Sequence, residues 1–359
     1  MYKNCAVLIT GHTGFKGSWL APLLAKLGSK LCGYSLDIPS SPSHFLLQKI
    51  PIQDVRGDVT DFDQLRKTMQ QFKPEIVFHL AAQSLVRLSF QKPAETFAAN
   101  VTGTVNVLEA CRQTPSVRAV LIITSDKCYK NNTEQQSFTP HMETDPLGGG
   151  DPYSASKACA EIVTESYRHA FGSGHFLMAS CRSGNVIGGG DWAKDRLVPD
   201  LIRSAAGGPP AILRMPDAVR PWQHVLNPIS GYLRLGAKLL EGKKEFAEAW
   251  NFGPDAQESR NENLPVKQIA QLLKRHWNKV HWKTEPENGK ETAVLMLDSG
   301  KARQRLGWKP VWSFSEALEK TAEWYRRFYE NGTIQTDEQI EQFGDYFLTS
   351  DRIIPAAPM

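Results

Sequence analysis

The chain has 359 residues, a formal net charge of +4, 41% hydrophobic and 22% charged residues. That is the balance of a globular protein with material for about two domains or one large one. It holds no block of Lys and Arg and no apolar run near the ~20 residues that cross a bilayer, which argues against nucleic-acid and membrane partners. The six cysteines (Cys5, Cys32, Cys111, Cys128, Cys159 and Cys181) form no Cys-x-x-Cys and accompany no His pattern. Neither a disulfide framework nor a metal site is expected. The chain passes almost at once into the apolar run Cys5 to Ile9, without the basic and apolar regions of a signal peptide. A reducing cytoplasm is the expected compartment.

In chain order, apolar runs predict strands over 5–10, 30–36, 52–57, 75–80, 117–124 and 175–181. Helical periodicity predicts helices near 14–28, 61–72, 94–113 and 153–172. Strand and helix in alternation build right-handed crossover units, so the expected fold is α/β, a Rossmann-type doubly wound parallel sheet. Beyond residue 184, Gly and Pro punctuate the chain ("GGGDWA", "GGPP", "RPW"), and shorter helices are expected near 194–206, 225–241, 265–275, 299–305 and 315–330. The expected division is a first domain over 1–184 with a return segment near 219–253, a smaller domain over 185–330, and a tail over 331–359.

The stretch "LITGHTGFKG" sets Gly11, Gly14 and Gly17 between the first strand and the first helix, with Thr13 and Phe15 among them. Glycines there allow a tight turn and close backbone approach, and the helix N-terminus offers free N–H groups to a dinucleotide pyrophosphate. Asp37, 20 positions after Gly17, stands where a carboxylate binds the adenosine ribose hydroxyls. It would repel a 2′-phosphate, so the expected cofactor is NAD rather than NADP. Asp58, in "RGDVTD", would reach the adenine with Val59 beside it, and reads equally as a cap for the next helix. For Lys16, inside the loop, phosphate contact and a solvated side chain both stand open.

"LIITSDKCY" ends an apolar strand in Ser125, Asp126 and Lys127. By themselves these are also ordinary residues of a strand end in solvent. "DPYSASKAC" puts Tyr153 and Lys157 one turn apart on a helix. A phenolate at neutral pH costs roughly 4 kcal/mol, which a neighbouring ammonium lowers. Tyr153 would then take a proton from a substrate hydroxyl as hydride leaves, with Ser125 as a third group.

Through "TGHTGFKG", "GDVTD", "VFHLAAQS", "NVTGTVNVLEA", "PYSASKACAE", "RSGNVIGGGDW", "NFGP" and "KARQRLGWKP", residues 4–330 resemble the extended short-chain dehydrogenase/reductases that act on nucleotide sugars. "GHTGFKGSWL", "TSDKCY", "GNVIGGGDWAKDRLVPD" and "RPWQHV" are similar in particular to the branch that dehydrates CDP-glucose. The resemblance implies oxidation at C4, loss of water across C5 and C6, and hydride return to C6, a lyase reaction of deoxysugar biosynthesis of the kind that feeds lipopolysaccharide. It implies that Leu80, Ala81, Ala82 and Asn100 line the cofactor, with Gln83 and Arg87 at the sugar. It implies Arg220 at the diphosphate with Asn185 beside it; Arg196, Trp192 and His224 are further candidates to hold the nucleotide sugar, and Trp192 and His224 read equally as core residues. It also implies Asp126 as the acid for the departing C6 hydroxyl. Lys127 departs from the Asp-Glu pair of the dTDP-glucose relatives. It would be the C5 base, which requires a neutral amine, or a cation that stabilises the enolate. A homodimer or homotetramer is implied, through the Tyr/Lys helix and the 94–113 helix. The competing readings are a nucleotide-sugar 4-epimerase, a reductase that consumes its cofactor, and an NAD-binding redox regulator. None of these needs Asp126 and Lys127.

Overall fold

The computed structural model describes residues 2–130, 139–172, 174–254, 264–285 and 295–349. The first half runs β1 (Ala6–Thr10), α1 (Phe15–Lys26), β2 (Lys30–Ser35), β3 (Ile52–Arg56), α2 (Phe62–Phe72), β4 (Ile76–His79), α3 (Val86–Gln91), α4 (Pro93–Phe97), α5 (Gly103–Arg112), β5 (Ala119–Ile123), α6 (Pro152–Phe171) and β6 (Leu177–Ser183). The second half runs β7 (Asn185–Ile187), α7 (Leu197–Ala205), β8 (Ala211–Leu213), β9 (Trp222–His224), α8 (Leu226–Leu240), β10 (Ala249–Phe252), α9 (Val266–His276), β11 (Trp282–Thr284), α10 (Gly300–Leu306), α11 (Phe314–Asn331) and α12 (Thr336–Thr349).

Seven parallel strands form the main sheet, in the order β10-β6-β5-β4-β1-β2-β3. The order reverses between β1 and β4, and it is at such a reversal that an open α/β sheet leaves a crevice beyond its strand ends. The inner strands are apolar on both sides because helices cover both faces, whereas the edge strand β3 leaves Gln53 and Asp54 exposed. Val7 and Ile9 face the core shared with α1 and α8, whereas Leu8, Val77, Val120 and Ile122 face the core under α2 and α5. The first of these cores runs on without a break into α9 and α11.

Local chemistry sets the helix starts. Asp61 accepts the Gln64 N–H at 3.0 Å to cap α2, and Asp151 accepts that of Ser154 at 2.9 Å ahead of Pro152, the first residue of α6. Ser313 and Glu316 form a reciprocal capping box on α11. The helix expected over 94–113 is interrupted: α4 and α5 are joined by a wide π-turn over Ala98–Thr102. Beyond β6, two parallel pairs, β7 with β9 and β8 with β11, hold the loop-rich part together. Of the expected tail, α12 packs Ile340 and Phe343 into the core, with Phe343 5.2 Å from the Trp312 ring. Residues 350–359 lie outside the described residues.

Phe252, at the end of the edge strand β10, is fully buried against the rings of Tyr232 (5.6 Å) and Trp308 (5.1 Å). Phe252→Ala should therefore destabilise the protein by ~3–5 kcal/mol, the range for a large aromatic removed from a tight core. A urea titration checks this, the midpoint falling with little change in slope.

Candidate active site

The glycine loop is shaped by contact with the strand that follows the reversal. Gly11 has φ +76°, and a Cβ on it would lie 2.6 Å from the Ala81 nitrogen. A Cβ on Gly17 would lie 2.2 Å from the Gly11 carbonyl oxygen. Only glycine fits either place. Gly14 opens α1 with no side chain capping it, which leaves the first N–H groups of the helix free to meet an anion. A dinucleotide pyrophosphate fits this cradle. Around it, the Thr13 hydroxyl donates to the Asp37 carbonyl at 2.7 Å, and the exposed Asp37 carboxylate turns back on the Ile38 N–H at 2.7 Å. Asp58 accepts the Thr60 N–H at 2.8 Å, while the cap of α2 is Asp61. Val59 is buried at the same rim, and Phe15, Leu80 and Ala82 are half-buried. His12 was not anticipated: its imidazole, fully buried, bonds Ser35 Oγ at 2.8 Å and Asp54 at 2.9 Å, and so pins the loop to β2 and β3.

At the end of β5, Ser125 Oγ donates to Asp126 Oδ1 at 2.8 Å, receives the Lys127 N–H at 3.2 Å, and bonds the Tyr153 phenol. Asp126 is 4% exposed. Burial pushes its carboxyl above the ordinary range, against the charges of Lys127, Arg220 and Lys16 and the Ser125 bond. A Cβ on Gly184 would stand 3.1 Å from Asp126 Oδ2, so glycine leaves the carboxylate its room. Tyr153 is pushed up to about 12 by burial, with the Ser125 bond and the Arg196 charge acting the other way. Taken alone, that value puts the phenolate at pH 7 roughly 7 kcal/mol uphill. Lys157 donates to the Ile123 carbonyl at 3.3 Å, and burial brings it down to about 8. Arg196 thus adds a second cation near Tyr153 beside the lysine one turn on. Arg196 reaches across the cleft, donating to Asp191 and to Ser84 Oγ, each at 3.0 Å.

Lys16 points inward. Its ammonium donates to Ser183 Oγ at 2.6 Å and to the Tyr232 hydroxyl at 3.4 Å. Burial, reinforced by Lys157, lowers it to about 7, with Asp126 opposing. Arg220 is 8% exposed and bears on Asp126, and Asn185 is half-buried at the start of β7.

Four expected contacts are placed otherwise. His224 is fully buried, its ring edge-on to Trp19 (5.5 Å) and Trp312 (4.7 Å), with its Nδ1 taking the Leu226 N–H. Burial drives it down to about 3, and it is a neutral core group. Trp192 gives its indole N–H to Tyr329 at 2.9 Å and packs on Trp324, Tyr325 and Phe328. The Gln83 amide is spent on Leu85 and on Thr96 Oγ1, each at 3.0 Å. Asn100, 2% exposed, ties the Gln83 backbone to Ser156 behind the site. Arg87 stays on the exposed rim of α3.

The family model described as GDP-mannose 4,6 dehydratase matches residues 8–321. The chain belongs to that family. It is 44% identical over 338 residues to a CDP-glucose 4,6-dehydratase of Salmonella typhimurium, covering 90% of this chain and 91% of the relative. A dTDP-glucose 4,6-dehydratase of Xanthomonas campestris is 28% identical over 81% of this chain and 84% of its own. Among solved structures, a UDP-glucose 4-epimerase from Brucella ovis in complex with NAD superposes with a TM-score of 0.74 at 25% identity, covering 88% of this chain and 96% of that one. An epimerase from Methanothermobacter thermautotrophicus reaches 0.79 at 24% identity, with 95% of each chain covered, and shares the fold.

Replacing Asp37 tests the choice of cofactor. The protein should bind NAD well ahead of NADP, and Asp37→Ala should narrow that gap by weakening NAD and relieving the repulsion of a 2′-phosphate. Fluorescence titration with both dinucleotides checks this, and equal affinities in the unmodified protein would refute the assignment.

Proposed function

We propose that this protein is an NAD-dependent CDP-glucose 4,6-dehydratase, making CDP-4-keto-6-deoxyglucose. The observation that carries the reading is the buried Asp126 and its neighbour Lys127, joined through Ser125 to the phenol of Tyr153. Epimerisation needs the tyrosine but has no use for an acid beside it, whereas elimination needs both. The match to the Salmonella relative over nine-tenths of both chains supports CDP-glucose as the substrate.

NAD, when bound along the glycine loop, supplies the hydride acceptor for C4 and the donor for C6. The chain's own groups move the protons. Tyr153 takes the proton of the C4 hydroxyl, its phenolate favoured by Ser125 and Arg196. The new ketone acidifies C5, whose proton passes to the Lys127 amine. Asp126, held protonated by burial, gives its proton to the C6 hydroxyl as the C6–O bond breaks. Arg220 and Arg196 meet the diphosphate, with Asn185 beside them and Arg87 on the rim. Residues 1–184 would hold the dinucleotide and residues 185–330 the sugar nucleotide. Exposed Phe97, Ile162 and Phe171 on α4 and α6 support a homo-oligomer built on those helices, working in the cytoplasm. Incubation with CDP-, dTDP-, GDP- and UDP-glucose tests the assignment. The 4-keto-6-deoxy product should form fastest from the CDP sugar, and no product from any of them would refute it.

Two substitutions separate the half-reactions. Tyr153→Phe should cut hydride transfer by at least the ~10²–10⁴ typical of a lost general base, while substrate binding survives. Lys127→Met should leave C4 oxidation intact and stall afterwards. The mutant, mixed with substrate, should accumulate reduced-nicotinamide absorbance, form no 4-keto-6-deoxy sugar and wash no deuterium into C5. Slowed but measurable exchange would instead make Lys127 an enolate stabiliser. Normal turnover would remove it from the mechanism.

A further inference from the structure

Tyr153, Lys157 and Glu161 follow one another at four-residue steps along α6, on one face of the helix and all buried. The first two meet the cleft. The third lies a turn deeper, and its carboxylate is fully engaged. It accepts from Thr124 Oγ1, from Ser180 Oγ at 2.6 Å and from Arg182 Nη2 at 2.7 Å. These partners stand just past the end of β5 and along β6. Thr124 sits between Ile123, whose carbonyl receives the Lys157 ammonium, and Ser125, which bonds both Asp126 and Tyr153. One carboxylate therefore fixes the backbone that carries the acid and the helix that carries the base.

We propose that Glu161 is a positioning residue for the oxidation step: by fixing Thr124 and lending its charge to the neighbouring ammonium, it keeps Lys157 protonated and aligned beside Tyr153. The groups that face Lys157 and Glu161 from the surrounding elements are Lys16 on α1, His79 on β4, Cys128 after β5, Arg168 on α6, and Cys181 and Arg182 on β6. Lys16 and the two arginines are basic. His79 is neutral, since burial takes it to about 3, and burial holds both thiols well above their ordinary range. Among the described residues, Glu161 is thus the anion that bears on Lys157. The Arg182 charge, with the three hydrogen bonds, outweighs burial and keeps Glu161 ionised. Burial already draws Lys157 down to about 8, with Glu161 the leading group opposing it. Without that carboxylate the ammonium would lose its proton within the working range.

The inference rests on the dehydratase reading, and its test separates the two. Hydride transfer is followed in single turnovers with CDP-glucose between pH 6 and 10, for the unmodified protein, Glu161→Gln, Glu161→Asp and the charge-balanced E161Q/R182M. The double variant guards against misfolding, because it leaves no buried arginine unpaired. A native near-ultraviolet circular dichroism spectrum qualifies each variant. Activity should be lost on the alkaline side about one pH unit earlier in Glu161→Gln and in the double variant, with Glu161→Asp in between, as the pKa of Lys157 falls. Substrate affinity should be unchanged. An alkaline limb that stays in place in a folded variant would overturn the proposal, as would loss of the native fold in all three. No product from the unmodified protein would refute the dehydratase reading instead.

Discussion

A buried ion pair holds the working end of this sheet in shape. Arg182 and Glu161 meet at 2.7 Å with side chains 4% and 1% exposed. Either charge alone would be costly there, and removing one partner of such a pair typically costs ~3–5 kcal/mol. The pair is tolerable because its surroundings supply further partners, although Arg182 Nε is left without one. Arg182 also donates to the Tyr129 hydroxyl at 2.8 Å and the Glu143 carbonyl at 3.1 Å, and lies 4.9 Å above the Tyr129 ring. Tyr129 passes the chain of bonds on to Asn251 of β10 at 2.7 Å. Strands β5, β6 and β10, helix α6 and the turn after β5 are therefore cross-tied at one depth, just beneath Asp126 and Tyr153. Moving any of them would strand a charge.

What was legible in the sequence follows from how locally each feature is written. Strands β1, β2, β4, β5 and β6 read as apolar runs because a parallel sheet is covered on both faces there, and the glycine spacing announced a turn where no side chain fits. The Tyr153/Lys157 pair and the acid after β5 were readable because each is a short motif. The three-residue strands β7, β8, β9 and β11 were not, since so few residues show no periodicity. Glu161 stood in plain view one turn after Lys157, yet its partner Arg182 lies on a strand 21 positions further on, and no local pattern links a helix face to a strand end. For Trp192 and His224 the core reading stood open beside the ligand reading, for a different cause. Aromatic and imidazole groups serve equally as ligand contacts and as polar-tipped core, and only burial separates the two. The direction of Lys16 was not legible because it depends on Ser183 and Tyr232, far away in the chain.

On the proposed roles, the same burial meets two opposite needs. It raises Asp126, as the proposed acid requires, and it raises Tyr153, as the proposed base does not. Ser125 lies between both groups and its one hydroxyl proton can favour the charged form of only one at a time, so it does not set them apart. Position does so: Arg196 bears on the phenol from across the cleft, bridging Asp191 and Ser84, while the cations nearest Asp126 are Lys127, Arg220 and Lys16. The balance at Asp126 still falls on the side of the protonated acid, because desolvation outweighs three positive charges. The balance at Tyr153 falls on the side of the phenol, so the protein alone leaves the base short of positive charge. Oxidised nicotinamide carries that charge and reduced nicotinamide does not. On the proposed reading, bound oxidised nicotinamide would supply that charge and favour the Tyr153 phenolate, and without it Tyr153 would keep its proton. The elimination that follows then meets a neutral tyrosine and a protonated aspartic acid, and Lys127 serves as its base only as a neutral amine, once it has given up its own proton.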